Sequence, residues 1–263
     1  MNVAQKQAVA QFLDKSASYL GGAYAEIVRY EFKDDVIPPW QSEHKKDASA
    51  EFQKTAALPT TANDLKKIAG LVAECTLCAL HRTRLNTVPG EGVPHPLVMI
   101  IGEAPGADED KSGRPFVGAA GALLDKMLES IALSRKTNCF IANIVKCRPP
   151  ENRDPASNET SSCFGFLQKQ VDLLKPTLIL SLGNVSAKTL LKTETGISRL
   201  RGNWEEFCGI PLMPTFHPSY LLRDASQKAA AWDDLKMLCA RLAKIDGVYA
   251  AQTEELRRAR KIV

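Results

Sequence analysis

Four of the chain's seven cysteines stand at a spacing suited to gripping a metal. Cys75 and Cys78 form a C-x2-C pair, and far downstream Cys147 and Cys163 are separated by fifteen residues. Two thiolates from a tight turn and two from a distant loop can close around zinc or hold an iron–sulfur cube, and thiolate ligation alone does not choose between them. The blander reading is that these are buried hydrophobes, as Cys139, Cys208 and Cys239 are expected to be. Cys-x-x-Cys outside a regular element seldom serves packing alone. The preceding strand of a thioredoxin-like redox pair is absent. The spacing favours a metal site.

Other residues offer chemistry of a different kind. Gly102-Glu103-Ala104-Pro105-Gly106-Ala107-Asp108-Glu109-Asp110 holds two glycines that let backbone amides approach a bound group. It lacks the Gly-Lys-Ser/Thr of a triphosphate site and the third glycine of a dinucleotide fingerprint. Phe116, within Gly113-Arg-Pro-Phe-Val-Gly118, is placed either to plug a core or to stack on a nucleobase. Asn143 offers the donor and acceptors that reading a base edge requires, or it satisfies backbone in a turn. Lys146, Arg148 and Arg153 follow it with local positive charge. His217, before Pro218, is suited to donate a hydrogen bond to charge developing on a substrate, although a lone His is more often structural. Leu221-Leu222-Arg223 reads as an exposed apolar tip, which suits a wedge.

These segments need elements to position them. Leu97–Ile101, Cys139–Val145 and Thr177–Leu182 read as buried strands, with Pro211–Phe216 as a weaker fourth. Helices are predicted at about 119–131, 158–174, 184–192 and 227–245, and an opening helix at 63–72 behind an Asn63-Asp64 cap. The alternation predicts an α/β fold: three α/β/α layers around a central, mainly parallel four-stranded sheet. Ligands in such sheets sit beyond the carboxyl ends of the strands, and the unusual segments fall there. Residues 1–35 read as a helix and 37–61 as a polar linker. The predicted organisation is an N-terminal extension over 1–62, a catalytic domain over 63–246 and a basic tail over 247–263.

Composition bounds the function classes. The chain has 263 residues, 44% hydrophobic and 24% charged, which supports a real core and excludes wholesale disorder. The sequence has no apolar run long enough for a membrane span and no signal pattern. With the odd cysteine count, this implies a reducing cytoplasm. Residues 1–60 carry seven basic against eight acidic side chains, residues 61–246 carry 23 against 20, and the tail four against two. A nucleic-acid partner would therefore be met by local charge, not bulk charge.

Together the motifs resemble those of the uracil-DNA glycosylase superfamily, specifically its iron–sulfur branch, the family 4 enzymes. The resemblance covers about residues 64–243. It rests on the four cysteines, GEAPGADED (102–110), GRPFVG (113–118), NIVKCRPPENR (143–153) and HPSYLLR (217–223). It implies a DNA repair hydrolase that flips uracil out of single- or double-stranded DNA and cleaves its N-glycosidic bond. Free uracil and an abasic site would be the products. It also implies a [4Fe–4S] cluster on Cys75, Cys78, Cys147 and Cys163, with zinc the less favoured occupant.

By the same resemblance Phe116 stacks on the base, Asn143 reads N3–H and O4, and His217 contacts O2. Backbone amides of the Gly102–Gly106 loop help, with Gly102, Ala104, Pro105 and Gly106 lining the base, and Glu109 crowds C5 to exclude thymine. Lys146, Arg148, Asn152, Arg153, Ser219, Leu222 and Arg223 face DNA, with Leu221 as the wedge. The better-known branch carries at position 104 an Asp that orients the attacking water. Here Ala104 stands there, a lack shared by family 4, and Glu103 is the nearest carboxylate. The covalently trapping branch carries a basic, His-containing insertion after the second strand. This chain lacks it, so ordinary turnover is expected. The competing readings are a non-catalytic metal-bound damage-recognition module and a small-molecule α/β enzyme with a zinc staple. The expected state is a nucleoid-associated cytoplasmic monomer, with a possible protein partner for residues 1–60.

Overall fold

The computed structural model describes residues 64–261. The chain divides into two units, Met1–Ala57 and Leu58–Val263. The helix expected over 1–35 and its linker lie outside the described residues.

The first elements are α1 (Asp64–Ala73), β1 (Glu91–Gly92), β2 (Val98–Gly102), α2 (Ala107–Ser112) and α3 (Ala119–Glu129). β3 (Cys139–Asn143), α4 (Ser157–Leu174), β4 (Leu178–Leu182), α5 (Gly183–Leu191) and α6 (Ile197–Leu200) follow. The last are β5 (Glu205–Phe207), β6 (Ile210–Thr215), α7 (Pro218–Arg223), α8 (Lys228–Ile245) and α9 (Gly247–Lys261). Every residue of β2, β3 and β4 is buried, because helices cover both faces of the sheet. The strand period of two divides the apolar residues between two cores. Met99 and Ile101 join Ile68 and Val72 of α1 and Phe166, Leu167 and Val171 of α4. Val98 and Ile100 join Leu124 and Leu128 of α3 and Leu235, Leu238 and Leu242 of α8.

The sheet order is β1-β3-β2-β4-β6-β5, with four parallel central strands and an antiparallel strand at each edge. It is thus larger than the four strands predicted. The two edge strands are short, and one reads Glu-Glu-Phe, a charged pattern that blunts an edge but carries no buried-strand signal. Cys208 occupies the two-residue turn between β5 and β6, where it and Gly209 have φ of 53° and 76°. It is exposed, which corrects the expectation of a buried filler, while Cys139 and Cys239 are buried.

Residues 247–261 form a helix, not a free tail. Tyr249 is buried against the second core, and its hydroxyl donates to the Ile131 carbonyl at 2.6 Å. Among the described residues, no helix is long and apolar enough to cross a membrane.

Candidate functional site

Register brings the chemistry together. Gly102 pairs with Asn143 at the ends of β2 and β3, and Leu182 pairs with Thr215 at the ends of β4 and β6. The pairing continues past the strands: Ile144 N–H donates to the Gly102 carbonyl at 3.0 Å and Val145 N–H to the Glu103 carbonyl at 3.1 Å. The loops leaving these strands enclose a cleft of about 670 Å³. Glu103, Ala104, Pro105, Gly106, Glu109, Phe116, Asn143 and His217 all line it, as do Asn152, Arg153, Ser219 and Arg223.

Gly102 lies close to two of these side chains. A Cβ there would meet the Phe116 ring at 2.6 Å and press still closer on Asn143 Oδ1. The role of Gly102 is this close approach. Asn143 is 1% exposed, and its Oδ1 is buried with no hydrogen-bond partner. Such an atom costs about 1–3 kcal/mol unless something binds it. The Phe116 and His217 rings stand 5.6 Å apart with a 34° tilt.

His217 caps α7, and its Nδ1 accepts the Ser219 N–H at 3.2 Å and lies 2.7 Å from Ser219 Oγ. An Nδ1 that accepts leaves the proton of the neutral ring on Nε2, which is then a donor. Burial holds the imidazole down at about 4, helped by the Arg223 charge and opposed by Glu109, so the ring is neutral at physiological pH. Glu103 is shifted the other way: burial, reinforced by Asp154, pushes its carboxyl up to about 7. Asp154, Gly183, Asn184, Ile197 and Tyr220 also line the cleft, and the sequence reading had not named them. Tyr220 lies within HPSYLLR, and Asp154 directly follows NIVKCRPPENR. Ile197 carried no chemical signal of its own.

Several assigned roles change with orientation. Glu109 lines the cleft, but its carboxylate is occupied: Oε2 accepts the Gly106 N–H at 3.0 Å, and Oε1 accepts the N–H groups of Val117 and Gly118 at 2.9 and 3.0 Å. It staples the α2 entry to the Phe116 loop. Lys146 is 1% exposed, its Nζ donating to the Asn143 carbonyl at 2.9 Å and to Gln170 Oε1 at 2.8 Å. It is a strut beneath Asn143 and cannot reach a DNA backbone. Leu221 is buried with Phe216 and Ala231, which removes it as the wedge, whereas Leu222 is 48% exposed. Arg148 Nε donates to Asn152 Oδ1 at 2.8 Å, and Arg153 forks onto Glu159 at 2.7 and 2.8 Å. These pairs brace a loop in which Glu151 and Asn152 both hold φ of 55°.

Cys75, Cys78, Cys147 and Cys163 line one further, small cavity of about 10 Å³, with Val72, Leu77 and Phe166 supplying apolar wall. Arg84 Nη1 donates to Cys147 Sγ at 3.2 Å and to the Cys75 carbonyl at 2.9 Å, and the Lys146 N–H donates to Cys163 Sγ at 3.3 Å. Burial pushes the Cys78 and Cys147 thiols upward and Cys163 to about 12. A bound metal would overcome that cost by displacing the thiol protons. Among the described residues, no three His, Cys, Asp or Glu side chains gather as a group that could hold a single metal ion. The four thiols nonetheless line the same cavity.

A family model described as the uracil DNA glycosylase superfamily matches residues 89–236. The chain is 40% identical over 184 residues to a type-4 uracil-DNA glycosylase of Sulfurisphaera tokodaii, covering 67% of this chain and 84% of that protein. It is 42% identical over 182 residues to one from Pyrobaculum aerophilum, covering 66% and 92%. A third, from Thermotoga maritima, is 42% identical over 159 residues, covering 60% and 82%.

Proposed function

The chain belongs to the uracil-DNA glycosylase superfamily, and we propose that its cleft excises uracil from DNA by hydrolysing the N-glycosidic bond. The observation that carries this reading is the unpartnered Asn143 Oδ1, buried beside Phe116 and His217. An acceptor kept dry and unsatisfied suits the N3–H of uracil, and the amide's other end suits O4. The Phe116 ring offers the face on which a flipped base stacks.

Bond cleavage builds positive charge on the sugar and negative charge on uracil, chiefly at O2. The neutral His217 donates from Nε2 toward that oxygen. A donor that strengthens in the transition state contributes about 3–4 kcal/mol in a dry site. Near neutral pH, Glu103 exists in both protonation states. Its carboxylate form either orients the attacking water or faces the cationic sugar, which answers for Ala104. Asn152, Arg153, Ser219 and Arg223, which line the cleft, would meet DNA, and the exposed Leu222 would take the wedge role from Leu221. Flipping the nucleotide costs a few kcal/mol, which these contacts offset.

Cys75, Cys78, Cys147 and Cys163 would hold a [4Fe–4S] cluster, a group that four thiolates suit. Four thiolates would serve either a [4Fe–4S] cluster or zinc, and analysis for iron and acid-labile sulfide separates the two. Holding such a group, the cysteines would tie the 147–163 loop to the C-x2-C turn, and that loop carries Asn152, Arg153 and Asp154, which line the cleft. We assign the protein to the cytoplasm, acting on nucleoid DNA as a monomer.

The test is incubation with oligonucleotides carrying U, T or hypoxanthine, followed by detection of abasic sites. Excision of U and not of T is expected. Binding without any abasic product would instead identify a recognition module.

A further inference from the structure

Phe116 holds a backbone conformation that aromatic residues rarely adopt, with φ of 52°. The turn is gripped from behind by Arg135, a residue in the α3–β3 connection whose side chain is 8% exposed. Its Nη1 donates to the Pro115 carbonyl at 2.7 Å and its Nη2 to the Phe116 carbonyl at 2.9 Å. Nε and Nη2 also donate to Asp125 Oδ1 at 3.1 and 2.8 Å. Glu91 Oε2 lies 3.8 Å from the same guanidinium, and Glu91 takes a two-point pair from Arg114 at 2.8 and 2.9 Å. Gly121 closes the other side, since a Cβ there would overlap the Phe116 carbonyl.

Neither Arg135 nor Asp125 lines the cleft; both face a separate cavity of about 360 Å³ behind Phe116. The Asp125 partner is 43% exposed, and ion pairs open to solvent on one side contribute little, so that pair alone is a weak reason for a guanidinium here. A fork spanning two successive carbonyls does something apolar packing cannot: it fixes a strained turn in one orientation.

We propose that Arg135 is a positioning residue for base recognition, holding the Phe116 ring beside His217 at the height where a flipped base stacks. The proposal rests on the reading of the cleft as a uracil pocket. It predicts a defect in capturing the base with no defect in holding DNA.

The experiment is a double-mutant cycle in cluster-loaded protein, using R135Q, R135K, F116A and F116A/R135Q. Single-turnover uracil excision and affinity for a uracil-free duplex are measured for each. R135Q is expected to slow excision roughly ten- to a hundredfold, a scale reached by small misplacements of reacting groups. R135K should fall between R135Q and wild type, because Lys keeps the charge but not the fork. Duplex affinity should stay unchanged. In the F116A background R135Q should add less than about twofold, the margin within which independent changes normally combine. Excision by R135Q at the wild-type rate, or its full effect reappearing on top of F116A, overturns the proposal. If R135Q does not fold, the same cycle run with R135K decides by the same criteria. A wild-type protein that releases no uracil defeats the reading of the cleft, which is a different result from an active wild type matched by R135Q.

Discussion

The cysteine cavity and the cleft are both built by loops leaving one sheet, yet they treat their polar groups in opposite ways. Around the cysteines, available donors are turned inward: Arg84 and the Lys146 N–H already point at sulfur, and apolar side chains close the wall. In the cleft, the important groups are left unsatisfied or shifted: Asn143 Oδ1 has no partner, His217 is held neutral, and Glu103 is pushed toward neutral pH. One region uses its interactions to hold itself together, and the other keeps them open for a substrate. Changes in the first should therefore register as stability, and changes in the second as rate.

The largest expected effect is on the cavity side. Structural thiolate–zinc sites contribute on the order of 10 kcal/mol, comparable to the whole stability of a domain at about 5–15 kcal/mol. Cys163→Ser is expected to lose iron and acid-labile sulfide and to melt far below the wild type, with excision lost as a consequence. Metal analysis and thermal unfolding check this. An iron-free variant that melts like the parent would show that the cavity does not hold the 147–163 loop.

On the cleft side, His217→Ala is expected to slow single-turnover excision by about 10²–10³-fold, the usual loss for an oxyanion donor. Asn143→Ala should also slow it strongly. Both should keep their iron. Because Asn143 Oδ1 is an unsatisfied buried acceptor, its removal should leave the melting temperature unchanged or raise it. A large fall in melting temperature for Asn143→Ala would break the contrast between the two regions.

The same contrast explains what was legible in the sequence. Residue type and spacing picked out four cysteines, and the fold brings all four to one cavity. The central strands were equally plain, because burial on both faces writes a continuous apolar run. DNA contact depends on which way a long side chain points, and type says little about that. Lys146 and Arg148 occupy one motif, but Lys146 turns under Asn143 and Arg148 braces the loop. Glu109 looked like a gate and is a backbone staple, a role fixed by where the Val117 and Gly118 amides arrive after folding. Arg135 carried no motif signal at all. Its importance comes from the two carbonyls it reaches about twenty residues away in sequence.

A smaller effect tests the electrostatics of the cleft. With Glu103 at about 7 and its carboxylate active, excision should rise about tenfold per pH unit below 7 and level off above it. Glu103→Gln should flatten that limb and cost less rate at neutral pH than His217→Ala. His217, at about 4, adds no second limb until far more acid conditions. The linkage signs differ. The raised Glu103 pKa contributes stability below about 4.5 that is lost as pH rises through about 7, whereas the depressed His217 pKa costs stability as pH falls from about 6.5 toward 4. A pH–rate profile unchanged by Glu103→Gln, or Glu103→Gln proving slower than His217→Ala, would overturn the role given to Glu103.

The finest test uses two adjacent leucines. Leu221 and Leu222 are chemically identical, so only orientation can separate them: one is 1% exposed among Phe216 and Ala231, the other 48% exposed. Leu221→Ala removes core packing and should cost about 2–5 kcal/mol of stability. Leu222→Ala removes nothing from the core and should melt within about 0.5 kcal/mol of the parent. As the wedge, Leu222 fills the stack a flipped base leaves, a need that exists in duplex and not in single-stranded DNA. Leu222→Ala should therefore slow excision from duplex several-fold, on the scale of a lost apolar contact worth about 1 kcal/mol, and leave single-stranded excision intact. An equal loss on both substrates would place Leu222 in general DNA contact. A duplex-specific loss in Leu221→Ala alone would return the wedge to the buried residue and require α7 to reorganise on DNA.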